Sequence, residues 1–229
     1  MTLKLSQPHL CWTLALLTAR RVLRRKSTWI FLLIGLFPSS IALFWVMTHM
    51  FESLSINTKP YGFFLDMENL YFLTFYIPLL ALFMGLGTIS DEVETKNITF
   101  TLVRPLSRSS IVVGRFLGHL FAGWILVFSS LIACFLGNML FQVEDLFAKL
   151  PSLINGLLVA GFGLAAYLAV VSLWGTLLKR FAILLSIFWL FIDTVMCLVP
   201  LGMAKHLSIR YRMFASFWEM LPERLPKVL

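Results

Sequence analysis

The sequence predicts an all-α protein that crosses a membrane several times, and three observations favour this fold class. The 229-residue chain is 59% hydrophobic, and only 13% of its residues are charged. Its mean hydropathy is +0.89, and a soluble domain of this size needs more charged residues to cover its surface. Five apolar runs are long enough to cross the hydrocarbon core as helices, which takes about 20 residues each. We therefore expect a polytopic helical membrane protein with five spans.

Residues 1–28 are predicted to form a cytoplasmic amphipathic leader helix. Apolar residues recur there at roughly helical spacing, and six basic residues precede the first span: Lys4, Arg20, Arg21, Arg24, Arg25 and Lys26. Such a helix lies on the membrane surface, and the basic excess places the N-terminus in the cytoplasm. A solvated leader that only fixes orientation is a compatible alternative. Because the basic residues lie beside apolar spans, the net charge of +8 indicates contacts with membrane lipids rather than with nucleic acid.

The transmembrane domain is predicted over residues 29–204. Its spans are expected at about 29–51, 70–89, 116–141, 152–178 and 181–204. The connection over 52–69 is acidic overall and is expected outside. At the start of the third span, the four-residue spacing of Gly114 and Gly118 predicts a close approach of another helix.

Asp193 lies near the middle of the predicted fifth span and is, on these boundaries, the only carboxylate inside a span. A charge at that depth costs at least about 2.5–3.5 kcal/mol on insertion scales. Asp193 should therefore face protein or water, or be protonated. Two roles stay open, a structural hydrogen bond to a neighbouring helix and a place on a translocation path.

Residues 205–229 are predicted to form an amphipathic tail on the outer side. Ile209, Met213, Phe217 and Leu221 share one helical face, which is typical of an interfacial helix. Five spans from a cytoplasmic N-terminus place this tail outside, where its five basic residues oppose the positive-inside rule. Either the protein has five spans, or the sequence lacks a sixth, or one of the five spans is re-entrant; of these we expect a missing sixth span.

The sequence lacks the common signatures of catalysis. It contains no Gly-x-x-x-x-Gly-Lys-Ser/Thr loop, no His-Glu-x-x-His and no Gly-x-Ser-x-Gly. Its three cysteines, Cys11, Cys134 and Cys197, are too far apart for a metal or redox motif. We expect no catalytic residue, no metal site and no cofactor in this chain.

Residues 90–115 are the one long polar interruption in the middle of the chain. The acidic residues Asp91, Glu92 and Glu94 come directly after the second span. A short amphipathic run follows with Ile98, Phe100 and Leu102. The segment then reads Arg104-Pro105-Leu106-Ser107-Arg108 and enters the third span at Gly114-Arg115. A plain solvated loop is one reading, although such a loop would not need an apolar run between its charge clusters.

This order of features resembles the permease subunits of ABC transporters of the type-2 exporter class. The motif covers about 26 residues, and Asn97 stands where the family usually has glycine. The resemblance implies six spans, with a small outer helical element that residues 208–221 fit. It also implies that the segment forms a cytoplasmic coupling helix between spans two and three, which docks in a separate ATPase subunit.

The resemblance assigns partners and site residues to the chain. Two ABC-type ATPase subunits bind ATP and Mg, and the permease dimerises with a copy of itself or a relative in the cytoplasmic (inner) membrane. The resemblance assigns the contact with the ATPase to nine residues: Asp91, Glu92, Glu94, Ile98, Phe100, Leu102, Arg104, Pro105 and Arg108. Charged side chains can pair across the rim of a cleft while apolar ones anchor in it. The expected function is export or extraction of a substrate; a haem-exporter-like permease and a non-transporting scaffold that recruits a cytoplasmic partner are the alternatives.

Overall fold

The computed structural model describes residues 7–51, 60–87, 108–139, 143–177, 181–198, 206 and 208–220, and this part of the chain is helical without strands. The helices are α1 Gln7–Leu23, α2 Lys26–Phe51, α3 Pro60–Asp66, α4 Ile77–Gly87, α5 Arg108–Met139, α6 Val143–Leu177, α7 Ala182–Leu198 and α8 Ile209–Met220. A π-helical stretch, Met67–Tyr76, joins α3 to α4 without a break. The all-α prediction is confirmed.

Five apolar helices correspond to the five predicted spans. Four are long and apolar enough to cross a membrane: Lys26–Phe44, Tyr61–Leu86, Ser109–Met139 and Leu146–Leu177. The fifth, Ala182–Cys197, is also apolar but shorter. This arrangement confirms a polytopic helical membrane protein.

The second span begins earlier in the chain than predicted. Its helix starts at Pro60 instead of residue 70, because the apolar run after Pro60 continues through the acidic pair Asp66 and Glu68. Asp66 is exposed, whereas Glu68 is fully buried inside Tyr61–Leu86. The expectation that Asp193 is the only carboxylate within a span is therefore wrong. Charge alone misplaces the boundary, because only Asp66 of these two acidic residues faces away from the bundle.

The third span also begins earlier. Helix α5 starts at Arg108 rather than at residue 116, so the last eight residues of the segment 90–115 already belong to a long helix. The rest of that segment lies outside the described residues. The polar residues at the start of α5 thus extend a span instead of forming a separate loop.

The π-helical stretch places one side of the second span in the core. Glu68, Phe72, Leu73 and Tyr76 are its buried residues. Together with neighbours in α3 and α4 they continue a series of buried positions at four-residue intervals: Phe64, Glu68, Phe72, Tyr76, Leu80 and Met84. The stretch packs against α2, α6 and α8 as well as its own continuation. The second span therefore contacts most of the bundle.

Helix α5 lies at the centre of the bundle, with α1, α2 and α6 packed on it. The close approach predicted at its glycines is found against the leader helix α1. A Cβ on Gly118 would lie 2.7 Å from the carbonyl oxygen of Ala15 and 2.6 Å from Cβ of Thr18. The buried side of α1 is formed by Ala15, Ala19 and Val22. The leader is a helix, as predicted, and it is docked on α5.

Candidate functional site

The structure describes one side chain among the ten predicted site residues, that of Asp193. Eight of the nine coupling residues, from Asp91 to Pro105, lie outside the described residues. The ninth, Arg108, is the first residue of α5, and its side chain also lies outside the described part. The coupling assignment stays a prediction.

Asp193 connects α7 to the N-terminus of α8. Its side chain is 3% exposed. The Tyr167 hydroxyl donates to Oδ2 over 2.6 Å, the Ile209 amide donates to Oδ1 over 2.9 Å, and the Arg210 amide donates to Oδ2 over 3.3 Å. The first amides of a helix have no partner within the helix, and a carboxylate there also interacts favourably with the helix dipole. Asp193 therefore caps α8 from another helix.

Ser208, the residue directly before α8, also caps this helix. Its Oγ accepts a hydrogen bond from the Tyr211 amide at 3.1 Å, the pattern of an N-cap serine. The same hydroxyl donates to the backbone carbonyl of Asp193 over 3.2 Å. Asp193 therefore makes structural hydrogen bonds to neighbouring helices, which is one of the two roles expected from the sequence. Its place on a translocation path stays a prediction.

Arg210 connects the start of α8 to the second span. Its Nη2 donates to Thr74 Oγ1 over 3.2 Å, and its guanidinium carbon lies 5.6 Å from the ring centre of Phe214. The predicted amphipathic face of α8 is turned toward protein: Met213 and Phe217 are buried, and the helix packs on α6, α7 and the π-helical stretch. The tail helix is therefore part of the bundle.

The residues of the network, Thr74, Tyr167, Asp193 and Arg210, lie at a similar distance from one end of the bundle. Thr74 precedes the end of its span at Leu86 by 12 residues, Tyr167 precedes Leu177 by 10, and Asp193 follows Ala182 by 11. At 1.5 Å per residue these positions are about 15–18 Å from one end of their helices, the end that Leu86, Leu177 and Ala182 mark. The hydrocarbon core is about 30 Å thick. The N-terminus of α8 thus lies at about half the depth of a membrane.

A cavity of about 200 Å³ adjoins this network. Its polar lining comes from Arg210, Tyr167, Thr74 and Thr194. Its apolar lining comes from Phe75, Pro78, Leu79, Leu82 and Leu190. We call it the Arg210 cavity.

A larger cavity of about 470 Å³ lies between α6 and α8. Apolar residues of α6, including Leu158 and Phe162, form one wall, and Arg212 lies on the other. Arg212 Nε donates to the His206 carbonyl over 2.7 Å. The two arginines, Arg210 and Arg212, therefore line different cavities.

Glu68 is the buried ionisable residue that the sequence prediction missed. It is 0% exposed, and neither carboxylate oxygen has a hydrogen-bond partner among the described residues. The side chain occupies the space left by the absent side chain of Gly156 on α6. One signal was available in the sequence: Glu68 falls into the four-residue repeat of Phe64, Phe72 and Tyr76.

Ser152 Oγ and Asn138 Oδ1 are among the other buried oxygens that have no hydrogen-bond partner within the described residues. Ser152 lies one turn before Gly156 on α6, and the Asn138 amide donates to the carbonyl of Cys134 over 2.9 Å on α5. Within the described ranges no group of three or more His, Cys, Asp or Glu residues could hold a metal ion. These two buried carboxylates thus differ, since Asp193 accepts three hydrogen bonds and Glu68 accepts none from the part of the chain that the structure describes.

Comparison with known proteins gives one match. A family model described as ABC-2 family transporter protein matches residues 12–212. No curated protein and no solved structure matches the chain significantly. The matched residues run from the leader helix α1 to the first half of α8.

Proposed function

The chain belongs to the ABC-2 family of transporter proteins, and on this basis we propose that it couples ATP hydrolysis by a separate ATPase subunit to export or extraction of a substrate. The family match carries this proposal. It covers the five apolar helices together with the polar segment between the second and third spans. The permease is the membrane part of the complex, and ATP with its Mg would bind to the ATPase.

The arrangement of the helices supports a mechanical role for the segment 90–115. In the chain this segment follows α4 and runs into the start of α5. Helix α5 contacts α1, α2 and α6, and α4 contacts α6. Because packed cores are dense and transmit strain, a movement of the segment would be passed to both spans and from them to α6.

The proposed complex has two ATPase subunits and two permease chains, the second being a copy or a related permease. Its location is the cytoplasmic membrane, with the N-terminus in the cytoplasm and the segment 90–115 on the same side. The basic residues around Arg20 to Lys26 support this orientation.

Purification of the tagged full chain from its native membrane tests the proposal. The chain is extracted in a mild detergent, and its partners are identified by mass spectrometry. We expect a stoichiometric ATPase that carries a Gly-x-x-x-x-Gly-Lys-Ser/Thr loop. An unrelated polytopic protein with the same tag serves as the control. Recovery of a different cytoplasmic partner without any ATPase, under conditions that preserve other transporter complexes, would instead support a scaffold.

A further inference from the structure

The Arg210 cavity combines one cation with an apolar wall inside the membrane domain. A volume of about 200 Å³ corresponds to roughly seven water molecules at about 30 Å³ each. This is enough for a phosphate or carboxylate group with its first carbon atoms. Phe75, on the apolar wall, is 52% exposed, so the wall reaches the outside of the bundle.

The guanidinium of Arg210 has an unused donor. Nη2 donates to Thr74, but Nε is buried and has no hydrogen-bond partner among the described residues. Asp193 directs its oxygens to the Tyr167 hydroxyl and to two backbone amides rather than to this guanidinium. A buried donor of this kind is costly to leave unpaired. The guanidinium has five N–H donors and Thr74 accepts from only one nitrogen, Nη2, so donors remain for an oxygen of a molecule bound in the cavity that Arg210 lines.

The charges around the cavity also favour an anion. The N-terminus of α8 carries about half a positive charge from the helix dipole, and Arg210 adds a full one. Even an ionised Asp193 contributes only one negative charge in return. An excess of about half a positive charge therefore remains near the middle of the membrane. In secondary transporters, the N-termini of broken helices near the bilayer midplane point at anionic groups of substrates.

We propose that the Arg210 cavity binds the phosphate or carboxylate group of an amphipathic molecule, whose apolar chain lies against the second span. The Arg210 guanidinium donates to the anionic group, and Phe75, Pro78 and Leu79 contact the first part of the chain. The step from binding to transport rests on the proposed function. The binding itself does not, because every residue involved belongs to this chain.

A photoaffinity experiment on the purified full chain tests this site. The protein is placed in phosphatidylcholine nanodiscs and labelled with a diazirine-bearing alkyl phosphate, and the labelled peptide is found by mass spectrometry. We expect saturable labelling in the stretch from Phe75 to Leu82 or around Leu190. R210Q should weaken the labelling about tenfold or more, the usual effect of losing a charge-assisted hydrogen bond.

R212Q is the matched control. It removes the same charge from the same helix, but Arg212 lines the other cavity, so labelling should change by no more than about twofold. Equal losses in R210Q and R212Q would mean that only the general positive charge of α8 attracts the probe, and would overturn the proposal. If R210Q fails to fold, R210K replaces it: the lysine keeps the charge but lacks the planar fork of donors, so labelling should weaken, and unchanged labelling would overturn the role of Arg210.

A competition experiment on the unsubstituted protein tests the chemistry of the site with unlabelled molecules that compete with the probe. Dodecyl phosphate should displace the probe, whereas dodecyltrimethylammonium and inorganic phosphate should not. Displacement by the cation to the same extent would contradict an anion site. Displacement by inorganic phosphate alone would show a site for a free anion and not for an amphiphile. Since none of these measurements uses the ATPase, their failure leaves the ATPase co-purification unaffected, and the reverse also holds.

Discussion

The carboxylate of Glu68 lies directly against Gly156, in the space where any other residue would place its Cβ atom. Both residues are in long apolar helices, Glu68 in the second span and Gly156 in α6. The contact therefore depends on the absence of a side chain at position 156. We expect Gly156→Ala to destabilise the protein by about 1–3 kcal/mol, the usual cost of overpacking. Thermal unfolding in detergent measures this.

Gly62→Ala is the control for this prediction, because a Cβ on Gly62 has no neighbour within 4 Å. Alanine is about 1 kcal/mol better than glycine in a helix, so Gly62→Ala should be neutral or slightly stabilising. Glu68→Ala combined with Gly156→Ala should recover stability relative to Gly156→Ala alone, since the two residues are in contact. Additive losses in the double variant would contradict direct contact.

Glu68→Gln should leave the melting temperature unchanged or raise it. The amide has nearly the same shape, and it removes an ionisable group that accepts no hydrogen bond from the described residues. A buried charge without a partner is destabilising. Asp66→Asn, two residues earlier on the exposed side, should have no effect. A loss in Glu68→Gln as large as in Gly156→Ala would point to an essential charge at this position.

Asp193→Ala should release the N-terminus of α8. The substitution removes a helix cap worth about 0.5–2 kcal/mol and leaves the Tyr167 hydroxyl without its acceptor. The readout is maleimide labelling of Met213→Cys, a buried position on α8, after the three native cysteines are replaced. Labelling should accelerate strongly in Asp193→Ala and less in Tyr167→Phe. Met139→Cys, buried on α5, should react at an unchanged rate.

Gly118→Val should displace the leader helix α1 from α5. The valine side chain would enter the space next to the Ala15 carbonyl and Thr18. Cys11, kept as the only cysteine, reports the change through faster maleimide labelling. Gly137→Ala is the matched control on the same helix, because its Cβ would lie 3.4 Å from the nearest atom, an ordinary contact. Equal rates in both variants would mean that α1 is not held at Gly118.

Charge reversal at Glu92 and Glu94 should abolish attachment of the ATPase. In the proposed complex these carboxylates pair with basic residues at the rim of the docking cleft, and like charges across an interface cost several kcal/mol. Co-purification of the ATPase with the Glu92→Lys, Glu94→Lys variant measures the effect. Asp66→Lys, an exposed charge reversal at the other end of the second span, should keep the complex intact. Unchanged recovery of the ATPase would remove both glutamates from the coupling site.

The sequence predicted the fold class and the number of apolar helices because both follow from composition and run length. It failed at the start of the second span, where Glu68 looks like a loop residue until its neighbours in the bundle are known. Hydropathy counts a buried glutamate as polar whatever it faces. The docking of α8 was missed for a similar reason: the apolar face with Met213 and Phe217 is readable, but whether it meets lipid or α6 is a property of tertiary structure. The hydrogen bond from the Ile209 amide to Asp193 joins residues that are 16 positions apart. No local sequence pattern therefore predicts this helix cap.

The π-helical stretch changes how substitutions along the second span have to be interpreted. In an α-helix, residues at four-residue intervals drift around the axis by about 40° per step, so the series from Phe64 to Met84 could not stay on one side. Bonding from residue i to i+5 takes more residues per turn, and the drift is largely cancelled between Met67 and Tyr76. A helical-wheel projection drawn with 3.6 residues per turn would therefore assign the wrong faces to α4. A cysteine or alanine scan of Ile77–Gly87 will show a phase shift relative to the scan of Pro60–Asp66.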